Sequence, residues 1–442
     1  CFRSGSTLSY KNRMAALTRL EHLVAEHETE LQEALQLDLG KSAAESYMCE
    51  TGLVREEIRF HRHHLAKWVR DRRVPTPLAQ FPSRSFRSPE PYGTVLIMSP
   101  WNYPVQLCLS PLVGAISAGN CAVVKPSAYA PVVSRTLARL LNSIFPEDYI
   151  AVVEGGREEN RALLEQQFDY IFFTGSPAVG RTVMEAAARH LTPVTLELGG
   201  KSPVIVDETA DVELAARRIA FGKVLNAGQT CVAPDYLLIH RDRKERFVQA
   251  YTRELEQFFP GGDDSQLPRI INEKHYRRLK GLLEGERVLL GGRTDDGRLT
   301  VEPTLLDEVS PESPIMQEEI FGPVLPMMTF EDLDQVIAFI TSRPKPLALY
   351  LFTSDREAER QVMNRCSFGG GCINDTIIHL ATPHMPFGGV GASGMGSYHG
   401  RQSFETFTHF RSIVKKAAWL DLPMRYHPYT ADKLRMVRRF LK

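Results

Sequence analysis

The chain has 442 residues, 43% hydrophobic and 24% charged, which is ordinary globular usage. That length supports two or three domains with a large core, and it excludes a disordered tail, a collagen-like fibre and a disulfide-stapled miniprotein. Its 53 Lys and Arg balance 53 Asp and Glu, so there is no global basic footprint for nucleic acid.

Residues from about 8 to 70 read as helix, with Leu17, Leu20, Val24, Leu31 and Leu35 at three-to-four spacing between charges. His61, His63 and His64 match no standard metal-ligand spacing and read as a solvated helix face; no metal site is expected. The stretch Val74–Tyr92 carries five prolines and is extended or looping. Short apolar runs follow at Thr94–Met98, Cys121–Val124, Ile150–Val153 and Tyr170–Phe173, alternating with helical patterns. Such alternation means βαβ units around a parallel sheet. After Glu197 it resumes at Ser202–Val206, Tyr236–Ile239 and Leu347–Leu351, with a helix predicted over Val212–Leu225. Two α/β lobes split near residue 197 is the economical fold. The segment Lys433–Lys442 is basic and weakly amphipathic. No apolar run approaches the roughly 20 residues of a membrane helix.

Seven scattered cysteines form no CxxC pair, which argues against a disulfide framework and fits a reducing compartment. Six read as buried structural thiols. Cys231 differs, because Gly228, Gln229 and Pro234 predict a turn that presents its side chain, with free backbone N–H groups stabilising a thiolate. Glu197, flanked by leucines at a strand end, is either a satisfied ion pair with Lys201 or a general base whose pKa is raised by apolar walls. Asn102 follows the strand ending at Met98, beside Trp101; its amide serves either an Asx-turn or a developing oxyanion. Lys125-Pro-Ser127 follows another strand, where a cation can hold ribose or phosphate. Gly175-Ser176-Pro-Ala-Val-Gly180 follows the strand Tyr170–Phe173 and opens a helix, aiming N–H groups at a phosphate.

These segments, with Glu318-Glu-Ile-Phe-Gly-Pro323 and Pro386-Phe-Gly-Gly389, stand in an order that resembles the aldehyde dehydrogenase superfamily from about residue 5 to 415. Cys231-Val-Ala-Pro-Asp-Tyr236 and the glycine-rich run Gly388–Gly400 resemble its class 3 branch. The resemblance implies Cys231 as nucleophile, Glu197 as general base and Asn102 as oxyanion donor. For the cofactor, NAD or NADP, it implies Lys125 and Ser127 at the adenosine ribose and Gly175, Ser176 and Gly180 at the pyrophosphate. Glu319 would hold the nicotinamide ribose, with Phe321 beside the nicotinamide, and Trp101 is a further cofactor-binding residue. Where the family often carries a ribose-binding glutamate, this chain has Ala128, so strict NAD selectivity is not expected.

The resemblance also implies an architecture. A cofactor lobe is expected over 1–73 and 95–196, a catalytic lobe over 197–403, and a bridging element over 74–94 and 404–442. The expected activity is NAD(P)+-dependent oxidation of medium- or long-chain aliphatic, or aromatic, aldehydes to acids. A CoA-acylating variant and a non-catalytic binding protein are the alternatives. Open strand edges in the bridging element predict a homodimer. Location is expected to be cytoplasmic, with weak peripheral membrane contact at most, through the basic tail. His384, before Pro386, either lines the substrate entrance or supports the loop, and the supporting role is the one expected.

Overall fold

A computed structural model describes residues 1–440. Helices Tyr10–Glu26, Glu28–Leu39 and Gly52–Trp68 carry their apolar stripe inward. The first and third pack on helix Gln106–Ala118, whose thirteen residues are all buried. His61 corrects the solvated-face reading: it is fully buried, its ring hydrogen-bonded with Ser117 Oγ at 2.7 Å and Glu57 at 3.1 Å. The apolar face of that helix turns it inward, while His63 stays exposed.

The first sheet has six strands, in the spatial order Gly394–Met395, Val194–Leu198, Tyr170–Gly175, Thr94–Met98, Cys121–Lys125 and Ile150–Val152. All neighbours are parallel except the short edge strand Gly394–Met395. Strand order reverses at Thr94–Met98, and such a switch point opens a crevice beyond the carboxyl ends of the strands. The second sheet runs Arg287–Leu290, Thr304–Asp307, Val324–Phe330, Tyr236–His240, Pro203–Val206, Ala348–Phe352 and Gly370–Ile373, and is parallel but for its first strand. The central strands of both sheets are buried on both faces, which is why they read as unbroken apolar runs.

The expected boundary at 197 falls inside the strand Val194–Leu198, and residues 394–395 join the first sheet through Gly394 opposite Glu197. A segment from the expected second lobe therefore completes the first sheet beside the strand that carries Glu197. The proline-rich stretch enters a three-stranded antiparallel sheet, Arg72–Val74, Ser83–Pro91 and Thr408–Lys416, whose two outer strands have open edges. The tail forms helix Ala431–Phe440, with Leu434 and Met436 exposed; residues 441–442 lie outside the described part. Among the described residues, no helix is long and apolar enough to cross a membrane.

Candidate active site

Cys231 sits in a loop bent by three successive residues with positive φ, Asn226 (50°), Ala227 (51°) and Gly228 (70°). A side chain at Gly228 would place its Cβ 2.2 Å from Gly322 O, so this bend needs glycine. Gln229 locks the loop, donating to Asn226 O at 3.1 Å and Arg269 O at 3.0 Å and accepting from Ile271 N. The backbone N–H groups of Cys231 and Val232 do favour a thiolate here. Burial, followed by the Glu197 and Glu319 carboxylates, outweighs them and pushes the thiol above its ordinary value. Burial, the largest of these causes, thus reverses the expected net stabilisation of the thiolate. Of the other cysteines, Cys49, Cys108, Cys121 and Cys366 are buried, whereas Cys1 and Cys372 are partly exposed; all seven are free.

Glu197 is 2% exposed, and burial raises its pKa well above the carboxylate range. Gly389 N–H is its stabilising contact, and Oε1 has no hydrogen-bond partner. Lys201 does not pair with it. That ammonium instead bonds Asp235 and donates to Ile315 O and Glu318 O, both at 2.8 Å. Asn102, also buried, donates from Nδ2 to Gln229 O at 3.0 Å rather than closing an Asx-turn, which leaves one amide N–H unspent.

A cavity of about 570 Å³ opens at the switch point, lined by Trp101, Asn102, Gly175, Ser176, Glu197, Cys231, Glu319 and Phe321. Gly175 ends its strand, and Ser176 caps helix Pro177–Ala188, aiming that helix N-terminus at the cavity. Phe321 is held at φ 51° and meets Trp101 edge to face, with ring centroids 5.3 Å apart. A Cβ on Gly199 would stand 2.1 Å from Glu319 Oε2, so glycine there makes room for the carboxylate. Burial and then Asp235 raise the Glu319 pKa to about 8, against the opposing Gly200 N–H, Lys201 and Arg278. Glu319 Oε1 lacks a partner, as Glu197 Oε1 does. Two orphaned carboxylate oxygens, an aromatic wall and a helix N-terminus fit a group with a cationic ring, ribose hydroxyls and a pyrophosphate.

Three predicted residues lie outside this lining. Gly180 faces Leu198, whose Cδ2 would be 2.7 Å from a Cβ, so glycine there lets the helix pack close on the strand. Lys125 Nζ donates to Gly155 O at 2.6 Å and Pro126 O at 2.9 Å, and burial lowers its pKa. Ser127 Oγ accepts from Tyr129 N beside the exposed Ala128. Sequence reasoning missed Arg278 and His275. Arg278 donates to Glu319 O at 3.2 Å and Ile320 O at 2.6 Å, fixing the strand of chain that carries Glu319 and Phe321. His275 packs on Trp101 with centroids 5.4 Å apart, and burial lowers it to about 4. Both belong to helix Glu273–Leu283, where an Arg and a His among many carry no local signal.

A second cavity, about 150 Å³, reaches Cys231 through a wall that includes Leu53, Tyr103, Leu107, Phe221, Ile378, Phe387 and Tyr398. His384 stands farther out, exposed and edge-on to Phe60 with centroids 5.0 Å apart. It lines an outer cavity that shares Met48 and Leu53 with the inner one, which puts it near the mouth. Among the described residues, no cluster of His, Cys, Asp or Glu could hold a metal ion.

Residues 2–413 match the aldehyde dehydrogenase family. The 4,4'-diaponeurosporen-aldehyde dehydrogenase of Staphylococcus aureus is 49% identical, over 100% of this chain and 97% of its own. Mouse aldehyde dehydrogenase family 3 member B1 is 46% identical, over 99% of this chain and 94% of its own. The solved substrate-bound state of Staphylococcus aureus AldH superposes with a TM-score of 0.98 at 48% identity, covering 100% of this chain and 97% of that one. Indole-3-acetaldehyde dehydrogenase in complex with NAD+ gives a TM-score of 0.86 at 28% identity, covering 94% and 86%. A family match over most of the chain and relatives near half identity agree, and the chain belongs to the aldehyde dehydrogenase family, class 3-like, as an oxidoreductase acting on aldehydes.

Proposed function

We propose that the chain oxidises medium- or long-chain aliphatic, or aromatic, aldehydes to carboxylic acids, with NAD or NADP as hydride acceptor. The observation that carries the substrate class is the apolar passage ending at Cys231. A carbonyl at the sulfur leaves its chain among Leu53, Leu107, Phe221 and Phe387, where burial rewards each methylene by roughly 0.8 kcal/mol. The Staphylococcus aureus relative, named for a diaponeurosporen aldehyde, supports a long apolar substrate.

Burial raises both groups, and the Glu197 carboxylate raises the Cys231 thiol further, so the two do not ionise together. As the thiolate, its proton passed to solvent, Cys231 attacks the carbonyl and gives a thiohemiacetal. The developing oxyanion is received by the free Asn102 amide N–H and the Cys231 backbone N–H. The bound cofactor supplies the hydride acceptor. Glu319, Phe321 and Trp101 would hold its nicotinamide end, Gly175, Ser176, Gly180 and the helix N-terminus behind them the pyrophosphate, and Lys125 and Ser127 the adenosine ribose. With the hydride given up, sulfur carries a neutral thioester. Glu197, as the carboxylate, then takes a proton from water; the water oxygen adds to the thioester carbon, the C–S bond breaks, and the acid leaves with Cys231 returned as thiolate.

Glu197, poised beside Cys231, favours hydrolysis over transfer to CoA, and the assembled set disfavours a non-catalytic role. We further assign the six-stranded sheet to a cofactor lobe, the seven-stranded sheet to a catalytic lobe and the three-stranded sheet to dimer contact through its open edges. The exposed face of the tail helix supports weak, salt-sensitive membrane contact at most, on a cytoplasmic protein. The test is NAD(P)H absorbance over a series of n-alkanals and benzaldehyde, with and without CoA. The expected result is kcat/KM that climbs with chain length, and free acid as product in both conditions. A preference for acetaldehyde, or acyl-CoA as product, would overturn the reading.

A further inference from the structure

Behind the site lies a buried ion pair that the reaction outlined above does not use. Lys41 follows Gly40, the C-cap of helix Glu28–Leu39, and its side chain is 0% exposed, as is that of Glu50. The ammonium donates to Glu50 Oε1 at 2.6 Å and to the backbone carbonyl of Asn102 at 2.7 Å, and lies 4.0 Å from the centre of the Tyr103 ring. Carboxylate, carbonyl and ring face thus account for its three N–H directions. Glu50 occupies a π-helical turn, Tyr47–Thr51, and its other oxygen accepts from Val105 N at 2.8 Å and Gln106 N at 3.0 Å. The pair therefore grips both ends of the peptide run from Asn102 to Gln106.

That run is stitched to the loop of Cys231. Asn226 Nδ2 donates to Asn102 O at 2.9 Å, Asn102 Nδ2 to Gln229 O at 3.0 Å, and Tyr103 and Thr230 hydroxyls share a hydrogen bond. Two buried charges cost desolvation that an apolar pair of the same shape avoids, so stability is a poor reason to place them there. What they supply is a fixed position for Asn102. We propose that Lys41, held by Glu50, is a positioning residue that sets the Asn102 amide at the distance from Cys231 which the oxyanion requires. This rests on Asn102 being an oxyanion donor.

The test is a mutant cycle in the full-length enzyme. Lys41→Met combined with Glu50→Gln removes both charges and nearly keeps the volume. Losing an oxyanion donor outright costs about a hundred- to a thousandfold in kcat; a displaced donor should cost about ten- to a hundredfold. Cofactor affinity, read from tryptophan fluorescence without aldehyde, should stay within about twofold of wild type, since Lys41 does not touch that cavity. Adding Asn102→Ala to this variant should lower kcat by less than about threefold beyond Asn102→Ala alone, because both act through one amide. Losses that multiply would overturn the inference and leave Asn102 as donor. An Asn102→Ala enzyme with normal kcat would overturn the donor reading itself. If the charge-free variant does not fold, Lys41→Arg serves in the same cycle. It keeps the charge but replaces the ammonium with a larger planar head, and the same non-additivity is expected.

Discussion

With Glu319 at the nicotinamide ribose, as proposed, cofactor binding is expected to be proton-linked. Burial and the Asp235 carboxylate hold its pKa at about 8, so most of the empty enzyme carries this group protonated at neutral pH. Gripping two ribose hydroxyls calls for the ionised form, whose hydrogen bonds are about twice as strong as neutral ones. From a pKa of about 8, roughly one molecule in eleven is ionised at pH 7 and ten in eleven at pH 9. If the ionised form alone binds well, Kd for NAD+ falls about tenfold over that range, or ~1.4 kcal/mol. About 0.9 proton should leave per cofactor bound at pH 7 and about 0.1 at pH 9. Isothermal titration calorimetry in two buffers of different ionisation enthalpy counts those protons without any turnover. Lys223, buried and lowered to about 8 in the same cluster, is a competing source of pH dependence. The Glu319→Gln variant separates them: its proton count should drop to near zero. A flat Kd in the wild type, or a slope that survives Glu319→Gln, would refute the reasoning.

Cys231→Ser should abolish dehydrogenase turnover, because an alcohol is far less ionised than a thiol, while cofactor Kd stays within about twofold; steady-state absorbance and fluorescence titration check the two halves. NADP+ should be used within about tenfold of NAD+ in kcat/KM, since exposed Ala128 neither binds the 2′-hydroxyl nor repels a 2′-phosphate. Ala128→Glu should shift preference toward NAD+ by about one to two decades, the worth of one charged hydrogen bond; an unchanged ratio would point to Glu154 or Glu159, whose charges reach Lys125. Light scattering at micromolar concentration should give a dimer mass, and a monomer would contradict pairing through the three-stranded sheet.

Strands buried on both faces were legible because they need continuous apolar runs, as Thr94–Met98 and Tyr236–His240 do. Gly370–Ile373 was not, because successive glycines give no apolar strand pattern. The pairing strand needs glycine at Gly371, where a Cβ would lie 2.0 Å from Leu349 O. Cys231, Glu197 and Asn102 were legible as odd residues at strand ends and turns, and the fold brings all three to one cavity. Their environments were not. Whether Lys201 pairs with Glu197 or Asp235 depends on a loop more than thirty residues downstream in the chain. His61 was misread for a similar reason, since its partner Ser117 lies on another helix.

The central claim is a covalent cycle on Cys231 in which Glu197 serves water. Intact mass and peptide mapping of Glu197→Gln, after mixing with a long-chain alkanal and NAD(P)+, test it most directly. A neutral amide cannot take a proton from water, so deacylation should slow more than acylation. An acyl adduct on the peptide carrying Cys231 is expected, formed with one equivalent of NAD(P)H and persisting after the burst. An unmodified protein that turns over at the wild-type rate, or an adduct on another cysteine, would contradict it.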